Sequence, residues 1–191
     1  MAIKFQSPIV IVIATAIILT SCAASKDTAM KEKNTSKIMH RLIDSWIDIN
    51  AQPEEVWEVL VDFKSWESWN SFIPMVEGNL QVGERMRIQV VPPDMKPMIF
   101  KPEVYEVIPF KKILWGGSFL KIIYRGDHAF LLELTPDGKT RFRQIERFRG
   151  PMVLFMGSMI KKTEVGYHQM NLVFKEKVEK YKSEKSNCPS L

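Results

Sequence analysis

Residues 151–182, PMVLFMGSMIKKTEVGYHQMNLVFKEKVEKYK, place apolar side chains three and four positions apart, the spacing of one helical face. Met152, Phe155, Met156, Met159, Ile160, Thr163, Tyr167, Met170, Phe174 and Val178 form the stripe, and mixed Lys and Glu occupy the other side. The spacing predicts one long helix over 151–182 that must bury its stripe against something. What precedes it is strand after strand. Alternation and turn signals predict strands over Leu80–Val91, Ile99–Ile108, Ile113–Phe119, His128–Leu134 and Arg141–Phe148. Gly78-Asn79, Pro92-Pro93-Asp94, Pro109, Gly126-Asp127 and Pro136-Asp137-Gly138 separate them.

Further out, Arg41–Asn50 is strand-like, and Ala51-Gln52-Pro53-Glu54-Glu55 starts a helix with proline in the first turn and two acids at its positive end. A second short helix is expected over Ser65–Asn70, closed by Pro74, with Asn70 capping or turning the chain. The order is strand, two short helices, five or six antiparallel strands, one long helix. That is an α+β chain whose antiparallel sheet can bury a face only against the terminal helix. A curved sheet around one helix leaves space between them unless large side chains fill it.

Period-two alternation also sorts residues into faces. His128 shares a side with Phe130, Leu132 and Leu134; Gln144 and Glu146 share a side with Phe142 and Phe148. The tight turn at 136–139 makes these strands hairpin partners, which points His128, Gln144 and Glu146 into one concave interior. A buried carboxylate must be paired, hydrogen-bonded or protonated, and an imidazole is the partner to expect. Three readings fit: a satisfied core pair, an anchor for a ligand head group, or an acid–base pair using His128 and Glu146. Trp115, Tyr124 and Tyr167 read as core or pocket wall, and Met156, Met159 and Met170 as core or an adaptable lining. Trp57 reads as core, with Trp66 and Trp69 packing near a cavity mouth. Gly116-Gly117 marks a bulge or a close approach.

These stretches, in their order and spacing, resemble the helix-grip fold of the START-like (SRPBCC) superfamily, near its polyketide cyclase/dehydrase-like branch. The resemblance covers about residues 44–180. It is carried by Ile49–Trp57, Trp66–Ile73, Leu114–Gly117, Gly126–Phe130, Thr140–Phe148, and Thr163, Gly166, Tyr167, Met170 and Asn171. It implies a hydrophobic cavity between sheet and helix that holds a lipid- or polyketide-like molecule. On that basis Trp115, His128, Phe130, Gln144, Glu146, Met156, Met159, Tyr167 and Met170 are the expected ligand-binding residues. It implies no single activity. A carrier or binding module is favoured over a cyclase or dehydratase, and a vestigial pocket serving protein interaction is the third alternative.

The N-terminus reads differently. Lys4 precedes PIVIVIATAIIL at 8–19. That apolar run is about a dozen residues, short of the roughly 20 a membrane-spanning helix needs, and reads as a signal peptide. Leu19-Thr20-Ser21-Cys22 resembles the lipobox of bacterial lipoproteins, so residues 1–21 are expected to be removed and Cys22 lipidated. Ala23 after it favours an outer membrane facing the periplasm, where the cell has one. Residues 22–38 are small, polar and charged and read as a tether. The domain is expected over 39–182 and a disordered tail over 183–191.

With Cys22 lipidated, Cys188 has no partner in the chain and no disulfide framework exists. The net charge of +5 comes from mixed acids and bases, which does not indicate nucleic acid. Arg141, Arg143, Arg147 and Arg149 share one strand face, either a solvated outer surface or a contact for anionic headgroups. His40, His128 and His168 are scattered, with His168 expected to be exposed. No metal site, cofactor or nucleic acid is expected; the expected partners are a small hydrophobic ligand and a membrane, with the chain a monomer.

Overall fold

The computed structural model describes residues 39–187; Cys22, the signal and tether segments and Cys188 lie outside them. Strand β1 (His40–Ile49) leads into helix α1 (Pro53–Val61), and a 3-10 helix follows at Phe63–Ser68. Seven strands come next: β2 (Met75–Glu77), β3 (Arg87–Val90), β4 (Met98–Phe100), β5 (Glu103–Ile108), β6 (Lys112–Phe119), β7 (Tyr124–Leu134) and β8 (Thr140–Arg149). A second 3-10 turn at Pro151–Phe155 precedes helix α2 (Gly157–Asn187). The main sheet is antiparallel in the order β1-β8-β7-β6-β5, and β2-β3-β4 form a smaller sheet. This is the α+β helix-grip architecture, with α2 across the concave face.

Local chemistry explains the element ends. At α1 the Gln52 N–H donates to the Glu55 carboxylate at 2.8 Å, and Pro53 occupies the first helical position, where a missing N–H costs nothing. Asn70 Oδ1 accepts from the N–H groups of Phe72 (3.2 Å) and Ile73 (2.9 Å), turning the buried chain after the first 3-10 helix.

Several expectations need correction. The strand expected over Leu80–Val91 is ordered as strand only at Arg87–Val90, because Gly78 and Gly83 adopt φ of 116° and 88° and turn the chain before it. The strand expected over Ile99–Ile108 is broken at Pro102, which has no N–H for a ladder. The chain changes sheets there, with a single bridge between Arg85 and Glu103 joining the two. The long helix is likewise interrupted. Gly150 (φ 111°) and Pro151 start a 3-10 turn that swings Phe155 outward, leaving it 89 % exposed rather than in the buried stripe.

α2 runs on to Asn187, five residues beyond its expected end, so residues 183–187 of the tail expected to be disordered are helical. Tyr181 Oη donates to Glu58 at 2.6 Å, Lys185 reaches the same carboxylate at 2.8 Å, and Lys180 lies 3.7 Å from Glu184 one turn on. Exposed side-chain pairs of this kind carry the last turn without apolar burial.

The core fills one half of the sheet–helix space. Phe142 meets Phe174 at 4.5 Å between ring centroids, Phe174 stacks on Trp69 at 5.4 Å, and Phe130 packs on Trp66 and Trp115 at 6.1 and 5.2 Å. Trp66 and Trp69 therefore belong to this cluster, not to a cavity mouth. Trp57 is partly buried against the core. Gly166 lets α2 close on Phe72: a Cβ there would stand 2.2 Å from its ring. On the convex face Arg141 is bidentate to Asp48 (2.8 and 3.0 Å), and Arg143 is bidentate to Asp44.

Candidate functional site: a cavity with one polar wall

In the other half, sheet and helix stand apart around a cavity of about 680 Å³. The smaller sheet closes one side through Ile88, Val90, Met98 and Phe100. Phe72, Ile73, Trp115 and Phe148 add apolar wall, while Met152 and Met156 approach from the second 3-10 turn and its end and Met159 from the start of α2. A volume of this size suits a drug-sized or larger apolar molecule.

The register of β7 and β8 makes the polar wall. His128 pairs directly with Glu146, and Phe130 with Gln144. All four face inward because the period-two pleat sends Arg143 and Arg147 to the other side. Tyr167 comes down from α2, where it is 3 % exposed, and its hydroxyl donates to Glu146 Oε2 at 2.7 Å. Gly126 supplies room for a second phenol. A Cβ on Gly126 would lie 2.6 Å from Tyr124 Oη and 3.2 Å from Glu146 Oε1, so both groups occupy the space its missing side chain leaves. Tyr124, His128, Glu146 and Tyr167 all line the cavity.

The electrostatics follow from burial. Desolvation raises the Glu146 carboxyl from 4.5 to about 7, against a smaller downward pull from the Tyr167 hydrogen bond. Desolvation lowers His128 from 6.5 to about 3, against a smaller upward pull from Gln144. Burial and the nearby Glu146 raise both Tyr124 and Tyr167 above their usual range. His128 is therefore neutral wherever Glu146 carries charge. Their nearest atoms, Nδ1 and Oε2, are 3.9 Å apart, beyond hydrogen-bond distance. The expected His128–Glu146 pairing is thus replaced by a Tyr167–Glu146 hydrogen bond, with His128 stacked on the Tyr167 ring at 4.8 Å.

Behind this wall lies a belt of side-chain hydrogen bonds. Gln144 Nε2 donates to Asn171 Oδ1 (2.7 Å), Asn171 Nδ2 donates to Ser45 Oγ (2.9 Å), and Ser45 bonds His168 Nδ1 (3.1 Å). His168 is exposed, as expected, yet tied to the sheet. His128 Nε2 and Gln144 Oε1 are buried with no hydrogen-bond partner in the structure.

Of the expected ligand-binding residues, Trp115, His128, Glu146, Met156, Met159 and Tyr167 line the cavity. Phe130, Gln144 and Met170 do not; they are at most 1 % exposed within the core and the belt behind the wall. Gly116 also lines the cavity, and its close approach is to Gly126 O and Asp127, each 2.6 Å from a Cβ there, rather than to the helix. Phe72, Ile73, Ile88, Val90 and Tyr105 were not anticipated. They come from elements whose place over the sheet is set by tertiary contact. Phe148 alone carried a usable signal, as it alternates with Glu146. Among the described residues, no group of three or more His, Cys, Asp or Glu is placed to hold a metal ion.

A family model described as polyketide cyclase/dehydrase and lipid transport matches residues 40–173. The chain belongs to that family. Its SRPBCC ligand-binding domain has the fold of several solved structures. The ZhuI aromatase/cyclase from a Streptomyces strain superposes with a TM-score of 0.59 at 13 % identity, over 74 % of this chain and 94 % of that one. Protein CV1439 from Chromobacterium violaceum gives 0.56 at 15 % identity, over 72 % and 96 %. Protein MLL2253 from Mesorhizobium loti gives 0.52 at 21 % identity, over 79 % and 100 %. At such identities the likeness is one of fold. No curated protein matches the sequence.

Proposed function

We propose that the domain binds or carries a small hydrophobic molecule, lipid- or polyketide-like, and that Cys22 anchors it by lipid in the bacterial cell envelope. An outer membrane facing the periplasm is the favoured location, with the chain a monomer. The supporting observation is the cavity of about 680 Å³, apolar on most sides and polar at the Tyr124–His128–Glu146–Tyr167 wall. An apolar body would occupy the methionine- and phenylalanine-lined space. Its polar group would meet two phenols, a carboxyl that titrates near neutrality and a neutral imidazole. The lining cations, Arg85 and Lys101, are exposed. A hydroxyl, carbonyl or amide therefore suits the inner wall better than a carboxylate or phosphate, which Glu146 would repel above pH 7.

Native mass spectrometry after incubation with a total lipid extract tests this, using Met159→Trp to obstruct the cavity. The wild type should retain an apolar molecule and Met159→Trp should not, with unchanged circular dichroism. Equal retention by both would refute the cavity as the binding site.

The Glu146 value near 7 supports a second reading, a cyclase or dehydratase. Glu146 would take a proton from carbon beside a carbonyl and return it to a departing hydroxyl, releasing water. Loss of one water from a bound β-hydroxy ketone, abolished in Glu146→Gln without loss of binding, would favour this reading over carriage.

A further inference from the structure

One end of the domain is apolar where a surface should not be. The β6–β7 turn exposes Phe119, Leu120 and Ile122, the last 83 % exposed. The 3-10 turn after β8 exposes Leu154 and Phe155. The two turns are neighbours, since Met152 N–H donates to Ile123 O at 3.2 Å. Together they make a contiguous apolar surface of the kind that marks a contact site. The hairpin is also written against local preference. Leu120 and Lys121 adopt φ of 47° and 39°, a region where Gly or Asn would cost less. Nothing in the fold explains an apolar, strained turn here.

Two observations say what covers it. The first is charge. Residues 39–43, 117–126 and 147–162, which build this end, contain seven Lys or Arg and no Asp or Glu. Asp127 is held beneath Arg125 and Arg149, and Asp94 lies 3.7 Å from Lys162. An anionic surface complements such an excess. The second is the path of the chain. Met39 O accepts from Gly150 N–H at 3.1 Å, four residues before Leu154. The described chain therefore begins beside the apolar turns, and Cys22 precedes Met39 by seventeen positions in the sequence. Phe119 and Met152 are also cavity lining, so the patch continues into the mouth.

We infer that this end, formed by Phe119, Leu120, Ile122, Leu154 and Phe155, docks on the anionic bilayer that carries the protein's own anchor, with the cavity mouth turned to the lipid. Docking draws on the anchoring proposal for which membrane is meant, but not on what the cavity holds. A ligand would then pass between bilayer and cavity without crossing water.

Site-specific fluorescence tests it in the full chain carrying Cys22→Ser and Cys188→Ser. Single cysteines at Phe155→Cys and at Asp137→Cys, in the turn at the opposite end of β8, carry an environment-sensitive label. Vesicles contain three parts phosphatidylcholine to one of phosphatidylglycerol. The label at 155 should shift to the blue and the label at 137 should not. A paired Leu120→Asp and Ile122→Asp change, at exposed positions, should weaken the response at 155 about tenfold or more. Replacing phosphatidylglycerol with phosphatidylcholine should weaken it by a similar factor. No shift at 155, equal shifts at both positions, or full retention in the aspartate variant would each overturn the docking surface. Met159→Trp separates this from ligand binding, because it should keep ligand out of the cavity and leave the shift at 155 unchanged.

Discussion

Replacing Glu146 by Gln tests the polar wall most directly, because its effect depends on pH in a way an ion pair would reverse. In the folded chain the carboxyl titrates near 7 rather than 4.5. Between those values the folded state holds a proton that the unfolded state has released. Stability therefore falls as pH rises through this window, at about 1.4 kcal/mol per pH unit, and levels off above 7. Wild type is thus about 3 kcal/mol worse off at pH 8 than if the carboxyl were unperturbed. Its side chain is 13 % exposed, so solvent screening trims this figure only modestly. The substituted amide keeps an acceptor for Tyr167 and has nothing to ionise. The variant should therefore gain on the wild type by up to about 3 kcal/mol between pH 4.5 and 8.

His128 acts in the opposite direction. Held near 3 instead of 6.5, it makes stability rise with pH between those values. In the wild type the two slopes cancel from about pH 4.5 to 6.5, giving a plateau that Glu146→Gln should convert into a rise. Urea denaturation followed by tryptophan emission at pH 4, 5.5, 7 and 8 measures it. A charged His128–Glu146 pair would raise one pKa and lower the other, making the variant least favourable near pH 5.5. That outcome, or a difference independent of pH, would refute the assignment of a neutral histidine and a desolvated acid.

Other outcomes follow from the same geometry. Tyr167→Phe removes the hydroxyl donor to Glu146 and should raise the carboxyl further, seen by NMR titration. It should cost about 2 kcal/mol more at pH 8 than at pH 5. Asn171→Leu leaves the Gln144 amide without its acceptor and takes one of the two partners of Ser45, and should destabilise by about 2–3 kcal/mol in urea. Gly166→Ala places a methyl against the Phe72 ring and should cost about 1–3 kcal/mol by thermal melting. Cys22→Ser should abolish incorporation of a labelled fatty acid, and an unlabelled wild type would remove the lipoprotein proposal.

Sequence patterns revealed the interior positions of His128 and Glu146 because a strand has a strict period of two. Phe142 and Phe148 fix the inward face, and a slip of one residue would expose all of them. The same rule could not reveal Glu146's partner. Tyr167 reaches it from a helix twenty-one residues later, and periodicity carries no information across elements. The helical stripe failed locally at Phe155 because apolar spacing does not distinguish an α-helix from a 3-10 turn that points its last residue at solvent. The smaller sheet was legible only in part. The strands expected over Leu80–Val91 and Ile99–Ile108 contain β3 and most of β4, but β2 went unread and alternation could not show that the chain changes sheets at Pro102. Val90, Met98 and Phe100 sit in its strands of three or four residues. Yet those strands supply a whole wall of the cavity, so the cavity's existence could be expected while its shape could not.

The polar belt explains why the cavity occupies one half of the domain only. Phe130, Phe142 and Phe174 fill the interior on one side of Gln144, and the space on the other side stays open toward Met152 and Met156. Between them Gln144, Asn171 and Ser45 tie α2 to the middle of β8 and β1 at fixed distances. A helix pinned at its centre cannot settle onto the sheet at its first turns without breaking those bonds, each of which is buried and costly to orphan. Apolar contact alone would favour such a collapse, since it would bury more methionine surface. The belt therefore works as a spacer. On this account, replacing Gln144, Asn171 and Ser45 together by apolar residues of similar size should leave the fold intact while letting the first turns of α2 approach β7. The cavity would shrink and affinity for a bound apolar molecule would fall. A triple variant that kept full affinity would show that the cavity is held open by the side chains lining it rather than by the hydrogen bonds behind them.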